Sequence, residues 1–539
     1  IIPNSIERIE NSAFEGCTGL KEISVPGIKA IENYSFFNCS SLESVTIAEG
    51  VTSIGSGAFS GCSSLKEIAV PENVTSIGNN AFADCASLKE IAVPENVTSI
   101  GSNTFSGCTS LKKIDLPSKL TMIDTAAFFG CSSLTDIVLP ESLTAIRTNA
   151  FNGCSALKVI KLPGGLKQLG IGAFGDCSSL DAIEIPEGIA SVDMGTFSGC
   201  SALRSVKLPS GLTQIGSNAF AECSSLVYIN IHSSVREIGK KAFSGCGSLV
   251  ELTLPSDLTS IGEGAFEGCS GLTSVEIPDT VTEFGYGVFR NCTGLKSVAF
   301  QNGIAGIPAE IFSGCTGITE ITIPESVTSI GGYAFRDCTG LAEIIIPESV
   351  KSIGNYAFGG CTKLSNIVFS SAVNIGTNAF SDCTGIKTVR VPDASVWLGL
   401  SFANKDANPL NGKGRLYING SPTSEFVIPE GIEKIGKYQF TGAGWLESVS
   451  IPASLKTIET NAFEECNSLK RVYVADLAAY CRVSLPGRFS GPLAYADELY
   501  INGGTKPVED LVIPDGVVKI GGYAFADFSG FGRLTIAGS

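Results

Sequence analysis

The residues best suited to chemistry are the cysteines, because a thiolate can bind a metal, act as a nucleophile or form a disulfide. Eighteen of the 19 cysteines have Phe three residues before them and Leu or Ile three residues after them, and they recur every 23 residues from Cys62 to Cys361. Metal ligands converge from different directions, whereas equivalent positions of a repeat point the same way, which also disfavours the disulfide torsion. We predict free thiols in a buried core formed by these and equivalent residues: Cys62, Cys85, Cys108, Phe59, Phe82 and Phe105.

Other combinations of catalytic or metal-binding residues are scarce. His232 is the only histidine, which excludes mechanisms that need two imidazoles, and we expect it in a solvent-facing turn. Asp136 and Glu184 could be the acid and base of a hydrolase, but no carboxylate pair stands out from the acidic background. The sequence therefore predicts a protein that is not an enzyme and that needs no metal or cofactor.

The composition disfavours several classes of partner. The 539 residues carry a net charge of −16, which argues against binding to nucleic acid or anionic membrane surfaces. No apolar stretch is long enough to span a membrane. The sequence begins at Ile1 and ends at Ser539, both within a repeat, from which we expect a mature fragment or a trimmed piece of a longer protein.

The regular spacing of the cysteines requires structural elements that repeat with it. A fixed period of this length indicates a solenoid, in which each repeat packs only on its neighbours. In residues 65–85, alternation predicts a short strand with Ile68 facing inward, which Pro71 terminates. A second extended segment is expected at residues 74–77, followed by a positive φ at Gly78. The segment up to the next cysteine is expected to form a helical or 3₁₀ turn.

The repeat resembles the BspA-type leucine-rich repeat. The pattern L-x-x-I-x-I-P-x-x-V-x-x-I-G-x-x-A-F-x-x-C-x-x-L runs through nearly the whole chain. The resemblance implies an α/β repeat solenoid, a right-handed superhelix of about 20 rungs with one short strand in each. It also implies an extracellular surface protein of bacteria or some protozoa that mediates adhesion or protein binding. The resemblance offers no catalytic residues to transfer.

Two related inserts interrupt the repeat. Residues 393–420 and 476–503 share landmarks that are displaced by 83 residues. Each begins with an Asp placed to cap a short amphipathic helix, and each continues to a Leu-Tyr-Ile-Asn-Gly strand that enters a turn. The inserts could be architectural, or they could supply a binding surface as repeat insertions often do. We divide the chain into a regular solenoid and two insert-bearing units: residues 1–388, residues 389–471 with the helix and hairpin insert at 393–425, and residues 472–539.

A binding surface is expected on the exposed strand positions and the inserts, because aromatic residues concentrate in the C-terminal third. The candidate residues are Tyr228, Trp397, Tyr417, Tyr473, Tyr480 and Tyr500. Trp397 could instead anchor the insert helix in the core. We predict a cell-surface module whose partner is a protein of the host matrix or of another cell. The alternative is a stalk or filament subunit that associates end to end, because uncapped solenoid ends expose apolar rungs.

Overall fold

The computed structural model describes residues 2–3, 5–300 and 304–536, so Ile1 and Ser539 lie outside the described residues. The fold is a parallel β-solenoid of about 22 turns with few helices, and this confirms the predicted class of repeat solenoid. Parallel pairing between successive rungs, rather than any single large core, therefore organises the chain.

The chain forms two compact units, Ile1–Val288 and Phe289–Ser539. The division according to inserts, with boundaries after residues 388 and 471, stays a prediction. Both units are built from the same kind of rung, so each is described by its strands and turns.

Most rungs contribute two short strands, because the extended segment expected at residues 74–77 also pairs, as Ser76–Ile77. We call the first strand of a rung the face strand and the strand that follows it the side strand. The face strands of the first unit are Glu22–Val25, Ser44–Ile47, Glu67–Ile68, Glu90–Ala92, Lys113–Asp115, Ala182–Glu184, Ser205–Lys207, Tyr228–Ile229 and Ser274–Ile277. Its side strands are Ala30–Ile31, Ser53–Ile54, Ser76–Ile77, Ser99–Ile100, Met122–Ile123, Ala145–Ile146, Gln168–Leu169, Ser191–Val192, Gln214–Ile215, Glu237–Ile238, Ser260–Ile261 and Glu283–Phe284.

The second unit follows the same plan and adds the inserts. Its face strands are Ser297–Phe300, Glu343–Ile346, Asn366–Phe369, Thr388–Val391, Arg415–Ile418, Ser421–Pro422, Glu425–Val427, Ser448–Ile451, Arg471–Val474, Glu498–Ile501, Asp510–Ile513 and Arg533–Ile536. Its side strands are Gly306–Ile307, Ser329–Ile330, Ser352–Ile353, Asn374–Ile375, Ser401–Phe402, Lys434–Ile435 and Thr457–Ile458. Of these, Ser421–Pro422 alone pairs antiparallel, as the return strand of a hairpin with Arg415–Ile418.

The register between rungs equals the sequence repeat. Ser53 pairs with Ser76 and Ile54 with Ile77, so identical residue types lie above one another. Alternation buries the Ile of each pair and leaves the Ser facing outward. Outward residues of neighbouring rungs therefore form continuous rows along each unit, and these rows are the surfaces on which a partner could dock.

The third side of a rung, where we expected a helical or 3₁₀ turn, is a series of tight turns with hydrogen bonds between residues three apart, such as Ala83 N–H to the carbonyl of Asn80, and no continuous helix. Two residues in each regular turn, such as Asn80 (φ 57°) and Asp84 (φ 58°), adopt left-handed backbone conformations. A left-handed residue interrupts a right-handed helix, so the segment between them cannot continue as one. The expected positive φ at Gly78 is also wrong. A Cβ at Gly78 would lie 2.5 Å from the backbone N of Ser56, so the close approach of the neighbouring rung requires glycine.

Two columns of side chains fill the core beneath these turns. The residues Phe59, Phe82, Phe105, Cys62, Cys85 and Cys108 are all fully buried. Neighbouring rings such as Phe59 and Phe82 stack with centroids 5.6 Å apart and an interplanar angle of 6°. The thiol of Cys85 donates a hydrogen bond to the carbonyl of Phe59 in the preceding rung, at 3.2 Å. All 19 thiols are free, and Cys17 alone is exposed.

The inserts contain the two α-helices found among the described residues, α1 (Ala394–Gly399) and α2 (Leu477–Tyr480). The carboxylate of Asp393 accepts hydrogen bonds from two backbone N–H groups at the start of α1, and Asp476 does the same for α2. The predicted N-caps and helices are thus confirmed. Two 3₁₀ turns follow in the inserts, Lys405–Ala407 and Pro492–Ala494.

Candidate binding surface

The most distinctive surface lies on neighbouring face strands of the second unit. Strand register places Val427, Ser450, Tyr473 and Tyr500 side by side. The alternate residues of these strands, such as Val472, are buried, so the four side chains point outward. We call these four residues the tyrosine row. Because the backbone of the row is hydrogen-bonded between rungs, the Cβ atoms of the four residues are held at fixed positions relative to one another.

Tyr473 and Tyr500 form a stacked pair within the row. Their ring centroids lie 4.7 Å apart at an interplanar angle of 24°. On the opposite side of Tyr473, the next residue in the row is Ser450, whose side chain is too small to cover an aromatic ring. The hydroxyl of Tyr500 donates to a carboxylate oxygen of Glu498 at 2.8 Å, and this hydrogen bond raises the pKa of the Tyr500 hydroxyl. The pair therefore presents an apolar surface with a neutral, oriented polar edge.

A shallow depression lies beside this pair. Its volume is about 320 Å³, and its lining includes Tyr473, Tyr500, Ala475, Gly503 and Gly504. Aromatic walls above small residues provide space for one apolar or aromatic side chain of a partner. Tyr and Trp are the residues that most often dominate the binding energy of protein interfaces. The geometry thus suits the capture of a protein side chain.

Charged residues border the tyrosine row. Arg471 lies 3.7 Å from the carboxylate of Glu425, and Arg471 is in register with Glu498. Such ion pairs at an exposed surface contribute little to stability, but they orient a partner and exclude mismatched charges. An apolar centre with a polar rim is the usual arrangement of a protein interface.

Tyr417 lies on a different sheet of the second unit from the tyrosine row. It is in register with Arg390, whose guanidinium carbon lies 5.0 Å from the ring centroid, within the range of a cation–π interaction. The hairpin places Pro422 on the other side of Tyr417. Tyr417 is therefore half-buried between two neighbours and presents less free ring surface than Tyr473.

Tyr228 belongs to the first unit and is 52% exposed. Its register neighbours are Ser205 and Glu251, neither of which is aromatic. Tyr228 is therefore a single exposed ring among small and polar residues, and it lacks the paired arrangement of Tyr473 and Tyr500.

Trp397 and Tyr480 do not belong to a binding surface, because their side chains are 0% and 1% exposed. The ring of Trp397 packs against Phe402, with centroids 5.9 Å apart. The hydroxyl of Tyr480 donates to the carbonyl of Ala524 at 3.2 Å, and burial raises its pKa. Each aromatic residue follows its capping Asp by four positions and faces inward, so it anchors the insert helix in the core. This corrects our inclusion of both residues among the candidate binding residues.

Sequence reasoning missed a cation–aromatic cluster on the turn side of the second unit. Tyr333 and Tyr356 stack with centroids 5.1 Å apart, and the guanidinium carbon of Arg336 lies 5.5 and 5.9 Å from the two centroids. The signal was available, because the two tyrosines are displaced by 356 − 333 = 23 residues, one full repeat. The left-handed φ of both tyrosines holds their rings at the surface.

The remaining candidates for chemistry are few. No group of three or more His, Cys, Asp and Glu in the described part of the chain could hold a metal ion. His232 is half-buried, and its Nε2 lies 3.2 Å from the carbonyl oxygen of Leu208. Among residues 2–3, 5–300 and 304–536, no helix is long and apolar enough to cross a membrane.

Two solved structures that are similar to this chain are described as leucine-rich proteins. A leucine-rich repeat protein from Bacteroides ovatus is 37% identical, with a TM-score of 0.56 over 59% of this chain and 82% of that one. A leucine-rich cell surface protein from Faecalibacterium prausnitzii is 28% identical, with a TM-score of 0.28 over 68% of this chain and 84% of that one. No curated protein matches the sequence.

The family comparison covers most of the chain. The BspA type leucine-rich repeat region matches residues 1–109, 75–204, 169–296, 285–405 and 416–480, in six copies. These ranges leave out residues 406–415, within the first insert, and the residues after 480. The chain belongs to the BspA-type leucine-rich repeat family.

Proposed function

We propose that the protein is an extracellular cell-surface module that binds a protein partner through the tyrosine row. The observation that carries the proposal is the stacked pair of Tyr473 and Tyr500 beside a shallow depression. The strand of Tyr473 pairs on both sides and the strand of Tyr500 pairs with it, and the two rings stack on each other, so binding orders few additional groups. The proposed partner is a protein of the host matrix or of another cell, because proteins of this family type are displayed at the cell surface.

The proposed role is non-enzymatic adhesion or recognition. The pKa shifts of the described titratable groups arise mainly from thiol burial and from surface hydrogen bonds such as that of Tyr500 with Glu498. Active sites instead bring together perturbed acids and bases in a cleft. The surface around the tyrosine row offers shape, aromatic area and a polar rim, which are the requirements of binding rather than of catalysis.

The test is a binding assay with the protein against immobilised collagen, fibronectin and laminin and against whole cells. We expect a Tyr473→Ala, Tyr500→Ala double variant to bind its target about 30-fold more weakly or worse, because truncation of hot-spot aromatics typically costs about 2 kcal/mol or more. Tyr286→Ala serves as the matched control, because Tyr286 is 67% exposed and lies in the first unit, outside the row.

Equal binding by the double variant and by the unmodified chain would remove the tyrosine row from the proposal. The alternative function, a stalk or filament subunit, gives a different result in the same preparation. It requires concentration-dependent association in analytical ultracentrifugation, whereas a binding module sediments as a single species at all concentrations.

A further inference from the structure

The first insert leaves a break in the side strands of the second unit. Between the rungs of Thr388–Val391 and Glu425–Val427, the face gains two extra strands, Arg415–Ile418 and Ser421–Pro422. The side strands gain none, because Ser401–Phe402 is followed by Lys434–Ile435, and these two strands do not pair. The extra face strands separate the rungs unequally, and an open groove lies between the two side strands.

The break leaves main-chain groups without partners on both edges of the groove. In a regular rung, Gly78 donates its N–H to the carbonyl of Ile54 at 2.8 Å. The corresponding groups here are the N–H of Gly436 and the carbonyl of Phe402, and the described residues show no hydrogen bond for either. The N–H of Glu433 and the carbonyl of Leu400 flank these groups, and the described residues show no hydrogen bond for them either. A strand edge with free donors and acceptors is a template for pairing with an extended peptide.

The second insert provides an internal comparison, because there the equivalent groove is closed. Gly521 corresponds to Gly436, and its N–H donates to the carbonyl of Cys481 at 2.7 Å. A Cβ at Gly521 would lie 2.4 Å from the carbonyl oxygen of Val483, which is the equivalent of Leu400. At Gly436 the same distance, to Leu400 O, is 3.9 Å. The opening is therefore specific to the first insert and does not follow from the insert sequence pattern alone.

The groove has the size and polarity of a binding site. Its volume is about 590 Å³, within the range of about 300–1,000 Å³ that is typical of ligand pockets. Residues 398–403 form one wall, and Lys434, Gly436, Lys437 and Glu459 line the other, so the groove holds two lysines and one carboxylate. Adjacent to Gly436 lies Gln439, which is fully buried and whose Oε1 has no hydrogen-bond partner. This oxygen lies 3.1 Å from the position of a Cβ on Gly436, next to the groove.

The charges at the groove favour an anionic ligand. Lys437 is exposed and makes no ion pair within the described residues, and Lys434 pairs with Glu459 at 2.8 Å. The N–H groups of Glu433 and Gly436 add two donors on the same edge. A carboxylate matches these donors and Lys437, whereas the opposite edge and Gln439 Oε1 need N–H donors, which a peptide backbone supplies.

We propose that this groove binds a short, extended, acidic segment of a partner protein, with main-chain hydrogen bonds to the free strand edge and a carboxylate on Lys437. The proposal concerns a different surface from the tyrosine row and does not depend on it. Main-chain pairing would supply affinity, and the lysine would select acidic sequences.

The experiment uses the protein and a phage-displayed library of random heptapeptides. We expect selected peptides to be enriched in Asp and Glu. Lys437→Glu should weaken their binding about tenfold or more, because it places a like charge beside the carboxylate. Lys519→Glu is the matched control, since Lys519 corresponds to Lys434 in the closed second insert, is exposed and changes the net charge equally. Gly436→Ala narrows the groove without a backbone penalty and should also weaken binding, with the thermal midpoint recorded to confirm folding.

Several results would overturn the proposal. Selection that yields no peptide, or peptides without acidic enrichment, contradicts it. So does equal binding of the selected peptides by the Lys437→Glu and Lys519→Glu variants. The Tyr473→Ala, Tyr500→Ala variant should bind the selected peptides as the unmodified chain does, so failure of the groove and failure of the tyrosine row are distinguishable.

Discussion

At the scale of single residues, the cysteine column shows how a reactive side chain becomes a structural one. Buried thiols of the column lie against the Phe column and donate to a Phe carbonyl of the preceding rung, as Cys154 does to Phe128 at 3.2 Å. From the sequence we predicted that each cysteine acts as a small apolar core residue. That prediction accounts for the burial of the thiols but not for this hydrogen bond. The bond requires the protonated thiol, and burial enforces that state, since it raises the pKa of Cys131 to about 12.

The raised thiol pKa values predict a loss of stability in alkali. Burial raises the pKa of Cys131, Cys200 and Cys246 to about 12, whereas an unfolded cysteine titrates near 9. Stability from the neutral thiols is fully present below pH 9 and is lost as the pH rises toward 12, because the unfolded chain ionises first. Each such thiol lowers the free energy of unfolding by about 1.4 kcal/mol per pH unit in this window. The thermal midpoint, measured from pH 7 to 11, should fall steeply above pH 9.

Thiol accessibility provides the control for this prediction. At pH 8 a disulfide reagent should modify Cys17 in the folded chain, because that thiol is exposed, and all 19 thiols after denaturation. Rapid modification of the buried column in the folded chain would contradict the assignment of these residues to a tightly packed core. A midpoint that stays constant up to pH 11 would contradict the role of burial in their pKa values.

At the scale of the rung, the left-handed turn positions were the main feature that the sequence did not reveal. The same position of successive rungs is occupied by Asn218, Lys241 and Gly264, all with positive φ. Asn and Gly adopt this conformation readily, but Lys and Tyr do not, so their presence concealed the pattern. The strand positions were predictable because inward residues are uniformly aliphatic, whereas outward turn residues are free to vary.

This conformation predicts that replacement of Lys241 by glycine stabilises the protein. Lys241 has a φ of 53°, a conformation that costs an L-residue about 1–2 kcal/mol relative to glycine. Part of this gain is offset by the greater freedom of glycine in the unfolded chain, so we expect Lys241→Gly to raise the free energy of unfolding by up to about 1 kcal/mol. Urea unfolding followed by circular dichroism measures the change.

The neighbouring lysine is the control for the turn prediction. Lys240 has no positive φ and pairs with Glu263 at 2.9 Å. Lys240→Gly therefore increases the conformational entropy of the unfolded chain and relieves no backbone strain in the folded one. It should destabilise the protein by about 0.5–1 kcal/mol. Similar effects of the two substitutions would show that the left-handed turn does not carry the strain that we assign to it.

At the scale of the whole molecule, the repeat determined how much could be foreseen. The same types of residue recur at the core positions of every regular rung, so the class of fold was visible in the sequence. The two inserts were visible as interruptions of that pattern. The sequence did not show which aromatic residues near the inserts are buried. Trp397 proved buried and Tyr473 half-exposed, although both are aromatic residues near an insert. The groove beside Gly436 could not be foreseen, because it arises from unequal spacing of rungs rather than from residue types.

The modular architecture predicts that removal of one whole rung leaves a folded protein. Deletion of residues 132–154 joins Cys131 to Ser155 in the same phase of the repeat, so every remaining inward residue keeps its place. The calorimetric enthalpy of unfolding should fall by about 16 kcal/mol, at about 0.7 kcal/mol for each of the 23 residues removed. Deletion of residues 132–142 instead removes the face segment around Asp136, which pairs with Val159 by an isolated bridge, and keeps the turn. It puts Thr148 in the place of the buried Ile137 and so breaks the register. That variant should lose the cooperative transition of the first unit, and equal stability of the two deletions would contradict a solenoid in which each rung packs only on its neighbours.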